Sequence, residues 1–124
     1  MSNPFGPDGF RHLLKATGYS LQGLAAAWRH ETAFRQEALL TPLILPLAFW
    51  LGHGAVEQIL LAVTWLLVPL AELVNSAVEA VVDRVGTEQH VLAGRAKDLG
   101  SAAVFVALTI LALTWGRIGW EHLS

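Results

Sequence analysis

Three long stretches without a charged side chain constrain what this chain can fold into. Residues 38–56, 58–71 and 99–116 contain no Asp, Glu, Lys or Arg, and they span 19, 14 and 18 residues. An α-helix that crosses a bilayer needs about 20 predominantly apolar residues at a rise of about 1.5 Å each. Hydrophobic residues make up 54% of the 124 residues, which is more apolar surface than a soluble fold of this size buries. We therefore predict an all-α integral membrane protein.

The predicted organisation is one membrane domain, residues 1–124, in which an amphipathic surface helix precedes three transmembrane helices. The alternative is a soluble three-helix bundle, and the lengths of the apolar stretches argue against it. The chain contains no cysteine, which excludes disulfides and thiolate metal sites. The predicted helices are a surface helix at about 9–31 and transmembrane helices at 34–52, 56–86 and 98–120.

The basic residues predict the orientation in the membrane. Seven of the eight Lys and Arg residues lie before the first apolar stretch or between the second and third, and the turn at 52–56 has none. By the positive-inside rule, the N-terminus and the second connection are cytoplasmic, whereas the turn and the C-terminus are outside. Only Arg117 departs from this pattern. Trp50, Trp115 and Trp120 fall near the predicted outer ends, where interfacial aromatic residues are common.

Apolar and small residues recur at helical spacing between residues 10 and 28, with polar residues mostly on the other face. This pattern predicts a helix on the cytoplasmic membrane surface. We expect the Gly18-Tyr19-Ser20 sequence to interrupt it, with Ser20 as the N-cap of a second piece that continues into the first span. A soluble arm that packs on its own bundle is the alternative.

One polar stripe lies on the otherwise apolar second span. At about 100° per residue, Glu72, Asn75, Ser76, Glu79 and Asp83 share one face, and Glu72 lies about 15 Å deeper than Asp83. A carboxylate at that depth takes up a proton, pairs with a cation or faces a wet protein interior. No Lys or Arg lies at comparable depth. The alternatives are a proton-exchanging Glu72 or a bound metal ion whose charge the acids offset.

A second acidic pair, Glu31 and Glu37, lies at the cytoplasmic mouth of the first span. If the first two spans are neighbours, Glu31 and Glu79 reach similar heights. Carboxylates from two helices suit Mg²⁺, which prefers one or two carboxylates together with waters and substrate phosphates. Glu31 could equally be an ordinary interfacial acid. His30, His53 and His122 lack metal-ligand spacing, and we interpret them as surface groups.

The connection before the third span carries a group of polar side chains on the same side of the membrane. A Lys beside an acid at a helix entrance can hold a phosphate, although a positive-inside loop has the same composition. No common nucleotide-binding glycine motif occurs. The residues alone leave ion translocation and phosphate chemistry open, and the second is favoured because the outer half of each span is bare of polar groups. These connection residues are Glu88, His90, Arg95, Lys97 and Asp98.

Four segments carry a resemblance to a known family. They read KATGYS (15–20), AAWRHETAFRQE (26–37), ELVNSAVEAVVDRVG (72–86) and HVLAGRAKDLGSAAV (90–104), and together they cover nearly the whole chain. The sequence closely resembles the prokaryotic diacylglycerol kinase family of small integral-membrane enzymes. The resemblance implies a homotrimer with active sites shared between neighbouring subunits. It also implies transfer of the γ-phosphoryl group of MgATP to the hydroxyl of 1,2-diacylglycerol.

The resemblance further implies roles for individual residues. Glu72 matches the catalytic base, and Glu31 and Glu79 match the carboxylates that hold Mg²⁺. The predicted ATP-binding residues are His12, Tyr19, Glu31, Glu79, Glu88, Gln89, His90, Lys97 and Asp98. The predicted lipid-binding residues are Ala33, Phe34, Arg35, Gln36, Glu37, Trp50, Glu72, Asn75, Ser101, Trp115 and Trp120.

Two rival functions share the sequence features described above. An undecaprenol kinase would share the fold and the acidic-helix motif, and a non-enzymatic proton or ion channel subunit would use Glu72 as a proton site. No nucleic-acid partner is expected.

Pro42, Pro46 and Pro69 lie inside the predicted spans, where the missing N–H should alter the helix path while the acidic stripe is preserved.

Overall fold

The computed structural model describes residues 5–86 and 90–123, and all regular secondary structure in these residues is α-helical. The helices are α1 (Pro7–His30), α2 (Thr32–Leu51), α3 (Ala55–Val85) and α4 (Val91–Leu123). The all-α fold is therefore confirmed. Of the four, α3 and α4 are each long and apolar enough to cross a membrane. At about 1.5 Å per residue, α4 measures about 50 Å, so its ends extend beyond a hydrocarbon core of about 30 Å.

The interruption of the first helix lies at Glu31 rather than at residues 18–20. The helix α1 is continuous through Ser20, and the Ser20 hydroxyl donates a hydrogen bond to the Ala16 carbonyl at 2.9 Å instead of capping a new helix. The predicted break was wrong because Gly and Ser are tolerated inside a helix at a cost of about 1 kcal/mol or less. Glu31 is extended, with φ −118° and ψ 108°, and it alone separates α1 from α2.

The three internal prolines do not end the helices that contain them. Pro42 and Pro46 lie inside α2, and Pro69 lies inside α3. Each lacks the N–H that would bond to the carbonyl four residues earlier, so the Trp65 carbonyl loses its helical donor at Pro69. The acidic stripe follows Pro69 on the same continuous helix.

The buried core lies at the end of the bundle near the α2–α3 turn. The helix α3 packs on α4 and on α2, and the core consists of Ala48, Leu61, Ala62 and Ile118. Beside it, the Trp115 indole N–H donates to the Leu61 carbonyl at 3.1 Å. Most large apolar side chains outside this core are exposed, as expected where lipid or neighbouring subunits surround the helices.

A second indole joins α2 to α3 nearer the acidic end. The Trp65 Nε1–H donates to Thr41 Oγ1 at 3.0 Å, and the Thr41 hydroxyl donates to the Glu37 carbonyl at 2.7 Å. Trp65 is buried, so its N–H depends on this acceptor. The hydrogen bond fixes how α2 and α3 face each other one helical turn below Glu37.

We expect Thr41→Val to lower the free energy of unfolding by about 1–2 kcal/mol, because it removes the acceptor and leaves a buried indole N–H without a partner. The control is Thr109→Val. The Thr109 hydroxyl is exposed and, among the described residues, bonds to the Phe105 carbonyl of its own helix alone, so its removal should cost less than about 0.5 kcal/mol. Unfolding by SDS titration in mixed micelles measures both. Equal losses in the two variants would contradict the structural role of the Thr41–Trp65 bond.

Candidate active site

Four carboxyl side chains come together where the start of α2 meets the second half of α3. Glu72 on α3 interacts electrostatically with Glu31 and Glu79, and Glu37 on α2 interacts with Glu72. All four side chains are half-buried. The structure thus brings together the residues that the sequence predicted as base and metal ligands. We call Glu31, Glu37, Glu72 and Glu79 the carboxyl cluster.

Within residues 5–86 and 90–123, no cation pairs with the carboxyl cluster. The ion pairs found there join Lys97 to Asp83, Arg117 to Glu121 and His122 to Glu57. The Glu37 Oε1 atom is buried and has no hydrogen-bond partner in the same part of the chain. Like charges this close, in apolar surroundings, require a proton or an external cation.

Asn75 extends the cluster towards α4. Its Nδ2 donates to Glu79 Oε1 at 3.3 Å, and its Oδ1 is buried with no donor among the described residues. The Oδ1 atom lies against Gly100 of α4, where a Cβ atom would collide with it and lie 3.3 Å from Asn75 Cγ. Gly100 therefore makes room for the Asn75 amide. This role of Gly100 was not predicted, because the only sequence signal is a glycine beside the predicted lipid-binding residue Ser101.

An ion pair closes the cytoplasmic end of the α3–α4 hairpin. Lys97 Nζ lies 2.8 Å from Asp83 Oδ1, and both side chains are substantially exposed. Lys97 precedes the apolar stretch 99–116 and lies outside the predicted span. The hydrogen bond and the charge of Asp83 raise the pKa of the Lys97 amine, so the amine stays protonated. Glu79 contributes to the same electrostatic interaction, which links Lys97 to the carboxyl cluster.

The remaining predicted nucleotide-binding residues are spread over the surface around this end. His12 and Tyr19 are exposed on α1, and Asp98 is exposed on α4. His90 accepts a hydrogen bond from the Leu92 N–H at 3.0 Å through Nδ1, so it caps the start of α4. Glu88 and Gln89 lie outside the described residues.

The predicted lipid-binding residues form two groups at different depths. Residues 33–37, Glu72, Asn75 and Ser101 lie around the carboxyl cluster. Trp115 contacts the core at Leu61, and Trp50 and Trp120 are exposed at that same end. Leu61 and Asn75 are 14 residues apart on α3, which corresponds to about 21 Å along the helix axis.

A gap of about 710 Å³ separates α1 from α3 beside the cluster. Small residues, including Gly23, Ala27 and Ala77, line most of it, and His30 and Glu31 lie at one edge. Its volume falls in the range of small-molecule pockets, about 300–1,000 Å³.

The donors available for a metal ion are carboxylate oxygens. Among the described residues, no group of three or more His, Asp or Glu side chains is arranged to hold a metal ion. Glu31 and Glu79 offer two carboxylates from different helices. This donor set fits Mg²⁺, which uses few protein ligands and takes the remainder from water and phosphate.

Comparisons with a family model and with individual proteins agree on one family. The family model for prokaryotic diacylglycerol kinase matches residues 18–118. A diacylglycerol kinase of Haemophilus influenzae is 56% identical over 110 residues, which cover 89% of this chain and 93% of the relative. The Escherichia coli K12 diacylglycerol kinase is 49% identical over 114 residues, covering 92% and 93%. The Pseudomonas aeruginosa diacylglycerol kinase is 50% identical over 117 residues, covering 94% and 95%.

We expect Gly100→Ala to lack the stabilisation that alanine normally gives to a helix. Gly116→Ala on the same helix meets no atom within 4 Å and should stabilise the protein by up to about 1 kcal/mol. At Gly100 the new methyl group must displace the Asn75 amide from Glu79, which offsets that gain. Unfolding in mixed micelles measures both variants. In the double variant Gly100→Ala/Asn75→Ala, the stabilisation by alanine should be restored. Equal stabilisation by Gly100→Ala and Gly116→Ala would contradict the close approach of Gly100 to Asn75.

Proposed function

The chain belongs to the prokaryotic diacylglycerol kinase family, and from this membership we propose how its residues carry out the reaction. The protein is a membrane diacylglycerol kinase, which uses a nucleotide to phosphorylate a lipid. We propose that it transfers the γ-phosphoryl group of MgATP to the free hydroxyl of 1,2-diacylglycerol. The products are phosphatidic acid and ADP. The assignment of residues below is carried by the carboxyl cluster, which forms no ion pair with a cation in residues 5–86 and 90–123.

Glu72 is the proposed catalytic base. It lies deepest in the acidic stripe, about 10 Å along the helix axis from Glu79, at the level where the hydroxyl of a membrane lipid resides. Its carboxylate accepts the hydroxyl proton as the lipid oxygen bonds to the γ-phosphorus. The bond from that phosphorus to the oxygen shared with the β-phosphate breaks, and ADP leaves with the electron pair.

Glu31 and Glu79 are the proposed ligands of Mg²⁺. When bound, the ion neutralises charge on the transferring phosphoryl group. Asn75 holds Glu79 through its Nδ2, while its Oδ1 lies against Gly100 of α4. Phosphoryl transfer depends mainly on positioning and charge, and these side chains supply both.

The nucleotide lies on the cytoplasmic side of the carboxyl cluster in this proposal. Lys97 contributes a permanent positive charge for the phosphates, and Asp83 holds it in place. Tyr19 and His12 on α1, His90 just before α4 and Asp98 on α4 complete the proposed nucleotide contacts, with Glu88 and Gln89 from the connection. The N–H groups in the first turn of α4 that do not bond to His90 add anion-binding capacity.

Lipid contacts at two depths suit the shape of diacylglycerol. The group around residues 33–37, Glu72, Asn75 and Ser101 receives the glycerol hydroxyl. The acyl chains extend from there into the hydrocarbon core, towards Trp115, Trp50 and Trp120, which lie about 20 Å or more away along the helix axis. This placement explains why one substrate would contact both ends of the bundle.

The membrane arrangement that we propose has three spans in the inner membrane. The helix α2 adds the third span to α3 and α4, because its 20 residues suffice to cross the core. The concentration of Lys and Arg before α2 and between α3 and α4 places the N-terminus and the carboxyl cluster in the cytoplasm and the C-terminus outside.

A gap within the single subunit supports a homotrimer with shared active sites. The gap between α1 and α3 lies directly beside Glu31 and is lined by small residues that permit close helix approach. A helix of a neighbouring subunit would fill it and complete the surroundings of the cluster.

The test of the function is the choice of phosphoryl acceptor. Purified protein in mixed micelles with labelled ATP and Mg²⁺ should transfer label to 1,2-diacylglycerol at least about tenfold faster than to undecaprenol, because the similar proteins are diacylglycerol kinases. Preference for undecaprenol would assign the protein to the polyprenol kinases. Proton flux in liposomes without ATP, and no labelled lipid, would identify a channel subunit.

We expect Glu72→Gln to lower turnover at least about 100-fold with little change in MgATP affinity, because it removes the proton acceptor alone. Glu31→Gln and Glu79→Gln should instead raise the Mg²⁺ concentration for half-maximal activity about tenfold or more. Steady-state kinetics with varied Mg²⁺ and lipid separate the two effects. The exposed Glu121→Gln is the matched control and should retain normal kinetics. Near-normal turnover of Glu72→Gln would overturn its role as base.

A further inference from the structure

Three ionisable side chains meet at the end of the bundle opposite the carboxyl cluster. His53 lies in the α2–α3 turn, Glu57 in the first turn of α3 and His122 in the last turn of α4. Glu57 Oε1 lies 2.7 Å from His122 Nε2 and accepts a hydrogen bond from the His53 backbone N–H at 3.0 Å. The two imidazole rings are in contact, with centroids 3.6 Å apart. The prediction that His122 is a surface group was wrong, because its side chain is 11% exposed.

We propose that His53, Glu57 and His122 form a proton-responsive clasp that fixes the C-terminal end of α4 to the α2–α3 turn. We call these three residues the histidine clasp. It does not depend on the roles proposed for the carboxyl cluster, since it lies at the other end of α3 and α4.

The surroundings hold the clasp residues close together. A Cβ atom at Gly52 would lie 2.7 Å from the Gln58 backbone nitrogen, so the turn packs tightly on α3. Gly54 has φ +88°, a backbone conformation that favours glycine, and it positions His53 before α3 begins. On α4, Ile118 is buried in the core, four residues before His122.

The balance of charges gives the clasp its response to protons. Histidine ordinarily changes charge between pH 5 and 8. A neutral His122 can donate from Nε2 to Glu57, and protonation turns this into a stronger bond between a cation and a carboxylate. If His53 is protonated as well as His122, two cations face one carboxylate, and like charges at this distance repel. The clasp is therefore tightest when the two imidazoles share one proton.

The neighbouring elements supply few other charges. Among the described residues, the charged groups at this end outside the clasp are Arg117 and Glu121 of α4, which lie 3.6 Å apart as an exposed ion pair. The last turn of α2 has no ionisable side chain, and Gln58 of α3 is neutral and donates to the Phe49 carbonyl at 2.9 Å. Ser124 lies outside the described residues and is the same in every variant below.

Hydrogen exchange of the 116–123 segment, measured by mass spectrometry on the full chain in micelles containing EDTA, tests the proposal. After correction for the intrinsic pH dependence, exchange should be about threefold slower at about pH 6 than at about pH 8, and faster again at about pH 4.5. His122→Gln keeps a donor for Glu57 but does not titrate, so its corrected exchange should not slow at pH 6. His53→Gln should keep the slowing at pH 6 and lose most of the acceleration below it.

Glu57→Gln should reverse the pH dependence of hydrogen exchange. Without the carboxylate, protonated imidazoles lack a counter-charge, so exchange should be faster at about pH 6 than at about pH 8. Kinase activity of each variant verifies that it is folded, because the clasp lies far from the carboxyl cluster. The proposal would be overturned if hydrogen exchange in His122→Gln showed the same pH dependence as in the wild type. It would also be overturned if Glu57→Gln kept the wild-type exchange minimum at about pH 6.

Discussion

The repulsion among four carboxyl groups at the edge of the hydrocarbon is the constraint on which the site depends. Glu31, Glu37, Glu72 and Glu79 face one another, and among the described residues no Lys, Arg or His forms an ion pair with them. A purely structural cluster would be costly, since each charge loses hydration and opposes the others. Bound magnesium and a proton exchanged with the substrate would relieve that cost. The arrangement is therefore understandable as a site that is completed by its substrates.

Much of the fold could be predicted from the sequence because its signals are local. Apolar length predicts the helices, and helical periodicity places Glu72, Asn75 and Glu79 on one face. The neighbour relation between α2 and α3 then brings Glu31 and Glu37 to them. The position of the first break was not predictable from Gly18 and Ser20, because their weak helix propensity is outweighed by the residues around them.

Contacts between helices account for what the sequence did not predict. The Trp65–Thr41 hydrogen bond and the approach of Gly100 to Asn75 depend on the relative rotation of two helices. The histidine clasp joins residues 65 positions apart, Glu57 and His122. The spacing of His53 and Glu57, four residues apart, was the only local hint of it. The roles of individual side chains towards nucleotide and lipid follow from family membership and remain proposals.

The single extended residue between α1 and α2 has a mechanical consequence. Glu31 is at once the joint between α1 and α2 and a member of the carboxyl cluster. Because no linker separates the two helices, a tilt of α1 rotates the backbone that carries this carboxylate. If α1 lies in the headgroup layer and Glu31 binds magnesium, as proposed above, the position of α1 in that layer sets the orientation of a metal ligand. In that arrangement, lipid composition at the interface and magnesium affinity would be coupled through the backbone torsions of Glu31.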